Sequence, residues 1–217
     1  MVSHRRMVEV GFAKRGQRAT PAAVCDSIGD DEIRRAYHGH LAKRCASQLV
    51  VDELGLLQGE ARVDLAVLSR GCFAGFEIKS GRDNLKRLAR QVECYGRVLD
   101  SMTLITTSSH LAAALALIPE WWGVEIVHAK GAALAFKKVR PCKANGGVDT
   151  SALVQLLWRD EVLSVISALQ TDSAVQRLSR RQLWQLLSNA VGHVELREII
   201  VERLRSRVRW RSASPPE

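Results

Sequence analysis

The chain has 217 residues, with 32 Lys and Arg against 23 Asp and Glu and a formal net charge of +9. That length is enough for one medium domain with a substantial core, or one domain with a small appendage, and the positive balance suits a polyanionic partner, nucleic acid first. Five cysteines without a C-x-x-C pair indicate neither a disulfide framework nor a zinc ribbon; with no apolar run of about 18 residues and no secretory signal, a cytoplasmic protein without membrane contact is expected.

Residues 1–29 are rich in Arg, Lys, Ala and Gly without a clear period and read as a disordered basic arm, or as the product of an upstream start. A helix follows. Asp30 or Asp31 can cap it, Glu32 sits in its first turn, and Ile33, Ala36, Tyr37, Leu41 and Cys45 mark one face. His38 and His40, two apart on that helix, point about 200° away from each other, which is poor geometry for one ion.

Leu49 to Leu57 reads as a strand with Val51 and Glu53 on one face; an acid in such an apolar strand needs a partner or a cation. The next strand sets Arg62, Asp64 and Ala66 against Val63, Leu65 and Val67, and Ser69 to Gly71 suit a hairpin turn into a third strand, where Glu77 and Lys79 share a face opposite Phe76 and Ile78. Antiparallel pairing would bring Asp64 beside Glu77. Two carboxylates side by side repel unless a cation lies between them, and hard oxygen ligands suit Mg²⁺ or Mn²⁺. Lys79 adds the positive charge useful beside an attacking water or a phosphate. The plainer alternative is a surface salt bridge on an exposed strand face.

Ser80-Gly81-Arg82-Asp83 reads as a turn in which Asp83 caps a helix of about sixteen residues, marked by Leu85, Leu88, Val92, Tyr95 and Leu99. Gln91 and Tyr95 share a face near that stripe, while Lys86, Arg87, Arg90 and Arg97 make the outer face basic. Met102 to Thr107 reads as a buried strand; Ser108 or Ser109 caps a helix through Leu111, Leu115 and Ile118 that Pro119 ends; Trp121 and Trp122 read as packing residues at an edge, with base stacking as the alternative; and Val124 to Val127 with Ala132 to Phe136 form a hairpin. This order predicts an α/β core with a mixed sheet.

Lys137 to Gly147 is basic, ends in Asn-Gly-Gly and reads as a linker, giving a core over 30–140, a linker over 141–148 and a helical region over 149–211. The expected helices are Leu153 to Leu169, Arg180 to Val191 and Val194 to Arg209, the last leading an arginine row of Arg197, Arg203, Arg205, Arg207, Arg209 and Arg211. They offer a surface to DNA or to a protein partner, or simply cover the sheet, and residues 212–217 read as a disordered tail.

Taken together, Asp64, Glu77-x-Lys79 and Gln91-x-x-x-Tyr95 match in order the motif of the PD-(D/E)xK nuclease superfamily in its RecB-like version, over roughly Asp31 to Ala135. The pattern Glu53, Arg62-x-Asp64, Glu77-Ile78-Lys79-Ser80 also resembles MmcB-type DNA repair proteins and related uncharacterised bacterial and phage proteins. Val63 stands where many superfamily members have proline. The resemblance implies a restriction-endonuclease-like αβββαβ core and Mg²⁺- or Mn²⁺-dependent hydrolysis of DNA, in repair or in defence against phages and mobile elements. It implies that Asp64, Glu77 and the Ile78 carbonyl hold the metal, with Glu53 as third acid and Glu32 as its rival. Lys79 would activate or position water, and Gln91 and Tyr95 would orient the lysine and the scissile phosphate. The alternative is a non-catalytic nucleic-acid-binding or assembly module that keeps the fold. DNA against RNA, endonuclease against exonuclease, and monomer against homodimer stay open.

Overall fold

The computed structural model describes residues 28–45, 47–131, 133–169 and 173–207. Residues 1–27 of the basic arm expected over 1–29, and the tail from 212 onward, lie outside the described residues; Ile28, at the end of that arm, is instead buried in the core beneath the first helix. Helix α1 (Asp30–Arg44) has Gly29 at its N-cap instead of an aspartate; Asp30, Asp31 and Glu32 occupy the first turn, where unpaired amides and the helix dipole favour anions. Ile33, Tyr37 and Leu41 are buried on its inner face.

Six strands form one mixed sheet in chain order: β1 (Leu49–Leu56), β2 (Ala61–Leu68), β3 (Phe73–Lys79), β4 (Ser101–Thr106), β5 (Gly123–Lys130) and β6 (Ala133–Arg140). β1, β2 and β3 pair antiparallel, β3, β4 and β5 parallel, and β5 and β6 antiparallel. Parallel neighbours need crossovers, supplied by α2 (Leu88–Gly96) and α3 (Leu111–Leu115). The α/β architecture and the helix, three strands, helix, strand order are those expected.

Three local boundaries differ. α2 has nine residues and starts at Leu88, because the Asp83 carboxylate turns back to accept from the Ser80 N–H and hydroxyl, both at 2.7 Å, and so caps the turn after β3 instead of the helix. α3 is a five-residue helix that stops at Leu115, before Ile118. β6 runs on to Arg140, with Lys137 and Lys138 paired to Ile126 and Glu125, so these residues belong to the sheet and not to the linker; lysines are common on edge strands because they oppose further pairing.

One apolar cluster lies under α1, where Ile33, Tyr37 and Leu41 meet Leu65, Val67, Ile78, Ile105 and Val127. The larger one joins the opposite face to α2 and the C-terminal helices. Gly75 permits this packing: a Cβ there would lie 2.3 Å from Met102 Sδ and 2.5 Å from Leu99 Cδ1.

The C-terminal region comprises α4 (Thr150–Leu153), α5 (Arg159–Leu169), α6 (Arg180–Ala190) and α7 (His193–Ser206). The helix expected from Leu153 to Leu169 is broken by a 3-10 turn over Val154–Leu156. Ser179 and Gln182 form a capping box on α6. The connecting stretch is tied to the core: the Asn145 amide donates to the Gly96 and Leu99 carbonyls at 2.6 and 2.8 Å, and the Asp149 N–H to the Arg97 carbonyl at 2.8 Å. Arg197, read as part of a solvated or DNA-facing arginine row, is instead buried against Asp100 with its guanidinium 5.0 Å from the Phe73 ring centroid. Among the described residues no helix is long and apolar enough to cross a membrane.

Candidate active site

Three acids lie in one row across the sheet. The rungs Asp52↔Leu65 and Leu54↔Val63 set Glu53 opposite Asp64, and Leu65↔Phe76 sets Asp64 opposite Glu77. The β2–β3 ladder ends at Leu65↔Phe76. Beyond it, the Ile78 N–H donates to Asp64 Oδ2 at 2.7 Å, so the strand that carries Glu77 itself anchors the Asp64 carboxylate.

The alternation expected of β1 and β2 breaks at this row. Glu53 has φ +50°, a conformation that L side chains other than Asn and Asp seldom adopt. The buried side passes from Leu49 and Val51 to Leu54 and Leu56, and on β2 from Ala61 and Val63 to Ala66 and Leu68. Ala66, expected beside Asp64 on the polar face, is therefore in the core, and Val51 does not share a face with Glu53.

Glu77 is buried (1 % exposed) and is the hub of the site. Its Oε1 accepts from the Lys79 ammonium and, at 2.5 Å, from Gln91 Nε2; its Oε2 accepts from the Tyr95 hydroxyl at 2.7 Å. The Tyr95 oxygen also lies 2.7 Å from the Arg62 carbonyl and accepts from Gln91 Nε2 at 3.1 Å. Burial, followed by the charge of Glu77, pushes the Tyr95 hydroxyl well above its usual pKa, which keeps it a neutral donor. The Thr106 hydroxyl donates to the Lys79 carbonyl at 2.9 Å, fixing β3 against β4 beside the site.

Asp64 meets a different set of groups. Burial first, and then the nearby Glu77 charge, push its carboxyl up to about 7, against the opposing Ile78 N–H and Arg34 guanidinium. Arg34, on α1, donates to Glu53 at 2.6 Å, to Asp30 at 2.8 Å and to Asp64 at 3.1 Å. The same hydrogen bond from Arg34 holds the Glu53 carboxyl below the usual range, and Arg62 lies 3.3 Å from its other oxygen. Glu32 is exposed; Asp30 is the α1 acid that shares Arg34 with Asp64.

This donor set fits a small hard cation held by two carboxylates. Asp64 and Glu77 each keep acceptor capacity beyond the bonds above, their mutual repulsion is what a divalent ion relieves, and the buried Gln91 Oε1 has no donor. Mg²⁺ commonly takes one or two carboxylates and completes its shell with water or phosphate. Among the described residues no three His, Cys, Asp or Glu side chains form a group that could hold a metal: Glu53, though in the row, is turned to its two arginines.

The profile of the bacteriophage P4 protein cII family matches residues 30–214. The chain belongs to this family. It is 19 % identical over 186 residues to Protein cII of Enterobacteria phage P4, covering 85 % of this chain and 69 % of that protein. Among solved structures, the SPO1766 protein of unknown function from Silicibacter pomeroyi is 20 % identical, with a TM-score of 0.44 over 70 % of this chain and 92 % of that one.

In this member of the cII family, the sheet brings together Asp64, Glu77, Lys79, Gln91 and Tyr95 as their spacing on strands and helix predicts. Two participants escape a sequence reading. Arg34 lies beside the apolar stripe of α1 and looks like an ordinary surface arginine; only the packing of α1 on the sheet carries it to Asp64. Asp30 has a local signal, its i,i+4 spacing from Arg34, but nothing local relates that pair to β1 and β2.

Proposed function

We propose that this chain is a Mg²⁺- or Mn²⁺-dependent nuclease that hydrolyses DNA phosphodiester bonds. The observation that carries the reading is the buried Glu77 carboxylate, which gathers Lys79, Gln91 and Tyr95 while facing Asp64 across the row. A divalent ion held by Asp64 and Glu77, with the Ile78 carbonyl, would supply charge stabilisation on phosphoryl oxygens and a more acidic bound water. Gln91 and Tyr95 lock the Glu77 rotamer by donating to it. Lys79 brings the positive charge and proton donor that an incoming water or phosphate meets beside the acids. Lys86 and Arg87, exposed at the start of α2, suit contacts to the phosphate backbone, which position DNA without reading its sequence.

The test is cleavage of linear duplex, single-stranded and branched DNA with Mg²⁺ or Mn²⁺, comparing wild type with Asp64→Ala and Lys79→Ala. Cleavage by wild type that both substitutions abolish, with DNA binding kept by Lys79→Ala, supports the nuclease. A second reading, a nucleic-acid-binding module without catalysis, is favoured by one observation: Arg34 already gives Asp64 and Glu53 a counter-charge from within the chain. It prevails if wild type cuts no substrate yet binds DNA equally well in chelator.

A further inference from the structure

A cavity of about 270 Å³ opens where the β1–β2 connection meets the C-terminal helices, walled by Gly55, Gln58, Gln155, Trp158, Arg180 and Trp184 among others. Its chemistry differs from that of the acid row. Each of two indoles is covered by a guanidinium: Arg207 lies 4.0 Å from the Trp158 ring centroid and Arg180 4.9 Å from that of Trp184. Trp184 is fixed by its ring N–H, which donates to the Leu157 carbonyl at 3.1 Å. Trp158 is 51 % exposed and its side chain lines the cavity.

The polar wall is built around strained backbone. Leu57, Gln58 and Gly59 have φ of +50°, +60° and +92° in succession, a backbone region that non-glycine residues occupy only under strain. This turn brings the Gln58 amide to the cavity, where it accepts from Arg180 at 2.8 Å and donates to Gln155 at 3.4 Å. Arg207 is neutralised by Glu161, at 2.7 Å, whereas Arg180 pairs with no acid among the described residues. The floor is open: a Cβ on Gly55 would meet nothing within 4 Å.

We propose that this cavity holds one unpaired nucleotide of a nucleic-acid single strand. A flat ring stacks on the Trp158 indole face opposite Arg207, the two amides meet the edge of the base, and Arg180 takes the adjoining phosphate. A base already paired in a duplex presents neither its face nor its pairing edge to such a recess. Gly55 is two residues from Glu53 along β1, about 7 Å, and its register partner Arg62 is two residues from Asp64, so a strand leaving the cavity starts beside the acid row. The proposal deepens the nuclease reading by naming a single strand as the substrate class, and rests on that reading for the link to cleavage alone.

The test is anisotropy of a short labelled thymidine oligonucleotide, and of a duplex of equal length, titrated with full-length protein in EDTA, together with quenching of tryptophan fluorescence. Wild type binds the single strand more tightly. Trp158→Ala and Arg180→Gln each weaken it about tenfold or more; Gly55→Leu, which fills the floor without requiring left-handed backbone, does the same. Equal binding by wild type and all three cavity variants overturns the proposal, as does equal affinity for duplex. So does quenching by an acidic aromatic peptide but not by the oligonucleotide, which assigns the cavity to a protein partner. Because this assay contains no metal, cavity-dependent binding by a protein that cuts nothing in the separate assay with Mg²⁺ or Mn²⁺ refutes the nuclease reading and leaves this one standing. Cleavage that proceeds with no single-strand binding at the cavity does the reverse.

Discussion

Arg34 Nη2 lies 3.1 Å from Asp64 Oδ1 while Nη1 lies 2.6 Å from Glu53 Oε1, so one guanidinium spans two acids of the same row. A cation of the chain thus occupies part of the field that a divalent ion would feel. In Arg34→Gln, Asp30, Glu53 and Asp64 face one another without this counter-charge. The variant should lose about 2 kcal/mol in EDTA, in line with the loss of charged hydrogen bonds, and melt several degrees lower. Mg²⁺ should then raise its melting temperature more than it raises that of wild type. A smaller Mg²⁺ effect in the variant would mean that Arg34 shapes the acids for the ion instead of competing with it.

The elevated Asp64 carboxyl sets a pH dependence. Its pKa is about 7 in the folded chain against an ordinary value of 3.8, so between these pH values the native state holds a proton that the unfolded state has released. Unfolding then releases a proton, and the Asp64 contribution makes stability fall as pH rises from about 4 to 7. Thermal melts in EDTA across that range should show a downward slope in wild type that is reduced in Asp64→Asn, with the difference between the two curves levelling off above pH 7. Saturating Mg²⁺ should also flatten the wild-type slope, because the ion favours the ionised carboxylate. Parallel curves for the two proteins would show that Asp64 does not carry the effect.

Tyr95→Phe separates the hydroxyl from the ring. The ring stacks on Trp122 with centroids 6.0 Å apart and should keep α2 in place. The lost donor leaves Glu77 Oε2 and the Arg62 carbonyl without it, at a cost of about 1–3 kcal/mol. If the chain is the nuclease proposed above and Glu77 must be held in one rotamer, the turnover number of DNA cleavage falls about tenfold or more while KM changes little; a change in KM alone would assign Tyr95 to substrate binding.

Much of this site can be read from spacing because its parts are local. Glu77 and Lys79 share a strand face, Gln91 and Tyr95 share a helix face, and a hairpin at Ser69–Gly71 sets Asp64 opposite Glu77. What sequence hides is long-range or depends on a single torsion. The left-handed Glu53 shifts the buried side of β1 and moves Ala66 into the core, which period-two alternation does not anticipate. Asp83 has two ways to satisfy its carboxylate, and the turn after β3 takes it from the helix. The arginines of α7 look equivalent in sequence, yet Arg197 is buried on Asp100 while Arg205 stays exposed.

That pair gives the last prediction. Arg197 donates with both terminal nitrogens to Asp100, one contact at 2.6 Å, and Asp100 Oδ2 also accepts the Phe73 N–H. Arg197 is almost wholly buried, so removing its partner strands a charge in the interface between α7 and the start of β4. Asp100→Ala should cost about 3–5 kcal/mol, and Arg197→Ala a comparable amount, measured by urea denaturation. Because each single change strands the other residue, Asp100→Ala with Arg197→Met should be more stable than the sum of the two single losses. Simple additivity of those losses would mean that the two groups act independently, and that α7 is held on the sheet by its apolar contacts through Leu196, Ile200 and Leu204.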